Sequence, residues 1–477
     1  MVTKFFVYDM VFLVAFLIFF SFFLYKRRHN LKKEGLLFLY RTSWGIKIIN
    51  SLGKKHKKTL DVLSYFSILC GYFLMVGATY LIYTIVKVYL FNPSIVRAIK
   101  IPPILPLFPY LPQAFNLDFL PPFYFTYWIV IIAIIAITHE MAHGIFMSRY
   151  NIKIKSTGFA FFPYFFPVFP AAFVEQDEKS MNKAKGFKQL VVLSAGTFAN
   201  VLTAVLFFVV LLIFFSFAFS ASGVVFDSYA TSAIAISGIS SVNGINISNA
   251  TYDNIVELTT GENLSEIKAD GKSYLANKKI LEEQKDNTGV IFVYNSAPAI
   301  KENLSRIILE INGVKIDSLE KLVEELDSYS PGEEIIVKTK TDVGFEERVV
   351  MLEEHPERPG TSWLGIGFSS KWGSGILGKV MGKLSSFKQP WIYYEPKFNG
   401  ISIFIYNLLW WIILISVSVA LVNMLPVGIF DGGRFFYLTV FALTKSEKIA
   451  KKAFAFSTYL FLFILLLLMA AWVFRIF

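Results

Sequence analysis

The chain has 477 residues, 55% of them hydrophobic and 17% aromatic, and only 17% are Asp, Glu, Lys or Arg. Ordinary soluble domains carry roughly 25% charged residues, so a soluble body of this length could not be coated. That excludes a cytosolic globular enzyme and a disordered chain and points to an integral membrane protein. The formal net charge of +11 is no sign of a nucleic-acid partner, because it is segregated. Residues 26–58 hold eleven Lys/Arg and one acid, Glu34, whereas residues 222–370 hold 24 Asp/Glu against 13 Lys/Arg. One cysteine, Cys70, excludes an intramolecular disulfide and a Cys-rich zinc module.

Six apolar runs are long enough to span a bilayer. They are about Phe5 to Tyr25, Leu63 to Leu90, Phe123 to Phe146, Leu190 to Phe219, a run from Ile401 into a Pro/Gly-broken stretch at 423–433, and Ala455 to Val473. The first lacks a small-residue cleavage site and is followed by Lys26, Arg27 and Arg28, so it reads as an anchor with its N-terminus outside. The loops 26–58, 149–188 and 434–452 all carry excess Lys/Arg and fall on one side of a six-span chain. By the positive-inside rule that side is cytoplasmic, and the acidic block 222–370 lies outside the cytoplasm. Sequons at Asn246, Asn249, Asn263 and Asn303 fit that side.

The acidic block contains an internal repeat, starting at Gly223 and again at Gly289. Each copy gives a β-branched strand, a small-residue helix start, a second strand and an Asn-Gly turn, at Asn243-Gly244 or Asn312-Gly313. The second copy resembles a PDZ domain, and two tandem PDZ-like modules are expected; a generic α+β domain with two hairpins is the alternative. The expected organisation is therefore an N-terminal membrane region with a basic loop (1–121), the first half of a membrane core (122–221), a first module (222–288), a second module (289–370), an interfacial linker (371–398) and the second half of the core (399–477). The fold class is a polytopic α-helical membrane protein with an inserted α+β region. Residues 101–122 hold seven prolines outside the membrane. Residues 158–173 are too Pro-broken for a helix and too apolar for a solvated loop, so a strand-like segment dipping into the bilayer is expected. The linker, with Lys371, Lys379, Lys383, Lys388, Trp391, Tyr393 and Tyr394, reads as amphipathic and interfacial.

The third span places His139, Glu140 and His143 on one helix. Residues at i and i+4 share a face, so both imidazoles can reach one metal ion, and Glu140 beside them can take a proton from water. Ionisable groups within a span are costly and mark function; a proton relay or a structural polar cluster is the bland reading. Zinc needs a third protein ligand. The remaining acid at membrane level is Asp431, where the fifth run is interrupted by Pro426, Gly428, Gly432 and Gly433. A carboxylate there is either that ligand or a cap on the helix half that begins near Gly432.

Together, His139-Glu140-x-x-His143 and Asn423-x-x-Pro426-x-x-x-x-Asp431-Gly432 resemble the site-2 protease family of intramembrane zinc metalloproteases. Ser194 to Asn200 is similar to that family's Gly-x-x-x-Asn segment, and Ala171 to Glu178 to the loop before it; the resemblance covers about 123–223 and 289–443. It implies one zinc ion per chain on His139, His143 and Asp431, with Glu140 as general base. It implies that Asn200 hydrogen-bonds the substrate carbonyl or its oxyanion, and that Asn423 does similar work or holds the broken helix. It further implies transmembrane protein substrates, hydrolysed within or near their spans, and an active site towards the cytoplasmic side. Thr197 and Phe430 depart from the family pattern without removing a reactive group, and no Cys-rich insert is present, as in prokaryotic-type members. A metal or proton transporter and a catalytically silent PDZ receptor are the competing readings, and a set of two His and one carboxylate also suits iron.

Overall fold

The computed structural model describes residues 2–34, 37–92, 96, 102–103, 107–117, 120–162, 166–261, 263–284, 289–368 and 376–476. The chain divides into two units, Met1–Phe215 with Gly400–Phe477, and Ser216–Asn399. Among the described residues six helices are long and apolar enough to cross a membrane: Phe5–Lys26, Lys57–Phe91, Phe125–Arg149, Gly186–Ala218, Gly400–Asn423 and Glu447–Phe474. The protein is therefore a multi-pass helical membrane protein with a β-rich region. Exposed Phe66, Phe73, Val205, Leu206 and Ile213 on these helices are apolar surface that lipid, not water, must solvate.

In the membrane unit we label the main elements α1 (Val2–Lys26), β1 (Leu31–Glu34), β2 (Leu37–Thr42), α2 (Ile46–Lys55), α3 (Lys57–Phe91), α4 (Phe125–Arg149), β3 (Ile154–Phe162), β4 (Phe166–Gln176), α5 (Gly186–Ala218), α6 (Gly400–Asn423), α7 (Asp431–Thr444) and α8 (Glu447–Ile476). The apolar, Pro-containing stretch after α4 forms an antiparallel hairpin of β3 and β4, as its composition predicted for a strand-like segment. Within the basic loop after α1 the chain folds into the β1–β2 hairpin, and β2 pairs with β3, giving a four-stranded sheet in the order β1-β2-β3-β4.

Two devices fix the helices. Asp9, the acid within the first span, is 2% exposed and caps α4 from outside its own chain segment. Its carboxylate accepts from the Phe125 amide at 2.8 Å, the Thr126 amide at 2.9 Å and the Thr126 hydroxyl at 2.5 Å, and also from the Tyr110 hydroxyl. Helix N-termini carry unpaired N–H groups that lipid cannot satisfy, which explains a buried carboxylate there. The second device is the break between α6 and α7. Ser457 on α8 donates to the Pro426 carbonyl at 2.8 Å, and the Gly428 amide donates to Thr458 at 3.0 Å, so groups freed by the break are paired inside protein. Gly432 lets α7 start against this turn, because a Cβ there would stand 2.5 Å from the Leu425 carbonyl oxygen.

The second unit contains two six-stranded sheets. One runs Thr231–Ala235, Val290–Asn295, Lys272–Ala276, Ser265–Ala269, Ile239–Val242, Ile245–Asn246. The other has Phe345–Met351, Glu334–Lys340, Ile307–Ile311, Phe219–Val225 and Ile392–Pro396 in sequence along the sheet, with Val314–Lys315 paired beside Ile307–Ile311. Both Asn-Gly pairs form two-residue hairpin turns with positive φ at each residue (49° and 76°, 46° and 80°), as their sequences demanded. The strands do not follow the tandem boundary expected at 288/289. Strand Phe219–Val225, from the first repeat, pairs with Ile307–Ile311 of the second. Strand Val290–Asn295, from the second repeat, pairs with Thr231–Ala235 of the first. The first sheet is thus an insertion within the second. Its two ends meet where the Asn295 amide donates to the Ala230 carbonyl at 2.9 Å and the Ser232 hydroxyl to Asn295 Oδ1 at 2.6 Å. Repeats alike in sequence can exchange a strand without altering either repeat's pattern, so sequence alone could not show it. The linker 371–398 holds a helix, Ile376–Leu384, and the sheet strand Ile392–Pro396, while Lys371 falls outside the described residues, as does part of 101–122.

Replacing Asp9 by Ala should lower stability by about 1–3 kcal/mol, the cost of stranding buried helix-end donors. Thermal unfolding in detergent should show a reduced midpoint, with Asp9→Asn recovering part of the loss.

Candidate metal centre and active site

Two helices build the centre. α4 carries His139, Glu140 and His143, with both imidazoles on one buried face. α5 presents Val192, Gly196 and Asn200 to them, at i, i+4 and i+8 and so on one stripe. The Val192 carbonyl accepts from His143 Nδ1 at 2.6 Å, which leaves His143 Nε2 bare. At the other end of the stripe the Asn200 amide lies 3.1 Å from His139 Nδ1, and its Oδ1 has no partner among the described residues. A half-turn of that amide sets Oδ1 to accept from His139 Nδ1–H, satisfying the orphan and baring His139 Nε2 as well. Between them Gly196 keeps the space free: a Cβ there would overlap His143 Nε2 and stand 2.5 Å from His139 Nε2.

α7 brings the third group. Asp431 is its first residue, and Phe430 is the N-cap. Asp431 Oδ2 lies 3.3 Å from His143 Nε2 and 3.5 Å from His139 Nε2, and the two Nε2 atoms are 3.1 Å apart. Tetrahedral coordination at 2.0–2.1 Å, the geometry of zinc, sets neighbouring ligand atoms about 3.3 Å apart. The three donors already stand at that spacing. The ring tautomers, the orphaned Asn200 oxygen and the cradle over Gly196 agree with it, so the residues fit a tetrahedral divalent metal.

Glu140 occupies the same cavity, which measures about 410 Å³ and is lined by His139, His143, Asp431, Phe173, Val174 and others. Its Oε2 accepts from the Val174 amide of β4 at 2.8 Å. β4 is the terminal strand of its sheet, and the Val174 N–H points away from β3. By the two-residue period the amide and carbonyl of Ala172 face the same outer edge.

The structure thus brings four of the six candidate residues together: His139, His143, Asp431 and Glu140. Asn200, expected at the substrate carbonyl, is fully buried behind His139 and does not line the cavity. Asn423 ends α6, half-buried, and is not among the lining residues either. Sequence reasoning missed Gly196, whose signal was its position inside the Gly-x-x-x-Asn segment. It missed the Val192 carbonyl and Val174 amide, for which a backbone group leaves no sequence signal. It also missed Arg41, Glu34 and Glu175 at the cavity wall. Arg41 donates to Glu34 at 2.6 Å and to Glu175 at 3.0 Å, and Ser156 donates to Glu175 at 2.6 Å. The Ser156 hydroxyl, then the Arg41 guanidinium, hold the Glu175 carboxyl below its usual range.

The family model for peptidase family M50 matches residues 127–468. The chain belongs to peptidase family M50, the site-2 protease family of intramembrane metalloproteases. The match begins inside α4, so α1, the β1–β2 hairpin, α2 and α3 lie outside it. No curated protein matches the chain. Family membership and the His139–His143–Asp431 group agree on a metallopeptidase.

Gly196→Ala should abolish stoichiometric metal binding. Asn200→Ala should weaken metal affinity by roughly 10- to 100-fold, the usual effect of removing a partner behind a ligating imidazole. Metal analysis and chelator competition on the purified variants check both.

Proposed function

We propose that the protein is a zinc endopeptidase that hydrolyses peptide bonds within or near the transmembrane segments of other membrane proteins. The observation that carries this reading is the placement of Glu140 in one cavity with three donors spaced for zinc. A bound zinc ion would supply Lewis acidity, polarising the scissile carbonyl and making a water easier to deprotonate. His139, His143 and Asp431 would hold it, with Val192 and Asn200 fixing the two ring tautomers. Glu140 takes the proton of the attacking water and passes it to the leaving amine nitrogen. The Val174 amide orients the Glu140 carboxylate for both transfers.

A substrate helix must unwind first, because its amides are closed in their own hydrogen bonds. The free edge of β4 offers an extended segment a ladder of backbone partners beside Glu140, which is recognition by strand addition. The second sequence repeat resembles a PDZ domain and the first does so less closely, and we read the two sheets they build as PDZ-like modules. In this reading they control which substrates reach the site, from the extracytoplasmic side, while the site opens towards the cytoplasm as the basic loops imply. Substrates are transmembrane proteins, the surrounding solvent is the lipid bilayer, and nucleic acid is not a partner.

Purified wild-type protein should cleave a model transmembrane substrate in detergent with about one zinc per chain. Glu140→Gln should keep the zinc and lose cleavage by at least about 100-fold, the lower end of the range for a general base. Metal-dependent transport in vesicles without cleavage would replace this reading with the transporter.

A further inference from the structure

The β1–β2 hairpin lies outside the family match, yet it reaches the active-site cavity through Glu34, Leu39 and Arg41. Arg41 sits on β2, opposite Gly158 of β3, which in turn stands opposite Phe173 of β4. Gly158 has no side chain to block the way, and a Cβ there would run into the Tyr40 carbonyl and the Phe173 ring. The Arg41 guanidinium therefore passes over β3 and joins Glu34 on β1 to Glu175 on β4. One residue along, Thr42 pairs with Thr157, and Thr157 pairs with Val174. The Thr42 and Thr157 hydroxyls are 3.3 Å apart, and Thr157 donates to the Trp44 carbonyl at 2.6 Å. This row ends on the Val174 amide, which holds Glu140.

We propose that the β1–β2 hairpin is a positioning element for the hydrolytic base: Arg41 clamps β4 through Glu175 and so keeps the Val174 amide on Glu140. The inference rests on the proteolytic reading for its effect on rate, but not for the clamp itself. An exposed ion pair is worth little as stability. Arg41 is three-quarters buried, however, and it ties the outer strand of a four-stranded sheet to both strands of the hairpin. β4 needs such a tie, because its other edge has no strand beside it among the described residues. An arriving substrate strand would load that edge, and a slack β4 would carry Val174 away from the base. A lysine at position 41 supplies charge without the fork that holds two carboxylates, so it can replace Arg41 only in part.

The test uses the full-length, zinc-loaded protein in detergent, as wild type, Arg41→Ala, Arg41→Lys and Glu175→Gln, with Glu140→Gln as the blank. Cleavage of a transmembrane substrate gives kcat and KM, and amide hydrogen exchange follows residues 171–176. Arg41→Ala should lower kcat by roughly 10- to 100-fold, with KM within about twofold and zinc content unchanged. The Val174 amide should exchange at least about tenfold faster while α4 and α5 keep their protection, which shows that the variant is folded. Arg41→Lys should fall between the two, and Glu175→Gln should follow Arg41→Ala in direction. Unchanged exchange in residues 171–176 of Arg41→Ala overturns the clamp, whatever the rate. Faster exchange with wild-type kcat overturns the positioning role. If no chain cleaves, the proteolytic reading fails instead, and the exchange alone then decides the clamp: faster exchange upholds it and unchanged exchange rejects it.

Discussion

Everything at the centre depends on the closeness of α4 and α5 at Gly196. At this contact α5 contributes no side chain, and the space that a methyl group on Gly196 would fill holds the two His Nε2 atoms of α4 instead. The same approach brings a backbone carbonyl, at Val192, within 2.6 Å of one imidazole and a buried amide, at Asn200, within 3.1 Å of the other. Lipid offers no hydrogen bonds, so a polar pair of rings inside a span must find partners on the neighbouring helix. The contact that makes room for an ion also sets the tautomers that bind it. Small residues at helix contacts are common in membranes for packing reasons; in this contact the packing and the chemistry are one requirement.

The third donor arrives by a different route. α6 ends at Asn423, the turn 424–430 is held by Ser457 and Thr458 of α8, and α7 starts with Asp431 pointing back at the rings. A continuous helix would present Asp431 on one of its faces at a position fixed by the 3.6-residue period. Breaking the helix frees the carboxylate to be placed by packing. The glycines after it let the new helix press against the turn, which keeps that placement stiff.

The sheet beside the site has a comparable division of labour. β3 and β4 belong to the part of the chain that matches the family, whereas β1 and β2 come from before it. Joined, they make a surface whose outer edge faces the base and whose side chains run from Glu34 through Arg41 to Glu175. In the other unit a similar economy of strands operates on a larger scale: one sheet is spliced into another, with strands exchanged between sequence repeats. A hydrogen-bonded ladder depends on backbone geometry, so any strand with the right face pattern can complete it.

What the sequence determined by itself was whatever rests on local pattern and on cost. The six apolar runs, the His139–Glu140–His143 face, the anomalous acid Asp431 and the two Asn-Gly turns all follow from periodicity, from φ preference or from the expense of a charge in lipid. Asp9 carried the same signal, a lone acid in an apolar run, but its partner α4 begins 116 residues later, and nothing local names it. Tertiary structure decided which backbone groups meet the site, which repeat owns which strand, and where Asn200, Asn423 and Arg41 stand. Those outcomes depend on groups brought together across long separations: backbone carbonyls and amides are alike in almost every residue, and no local pattern names the distant partner of a side chain or of a glycine until the chain has folded.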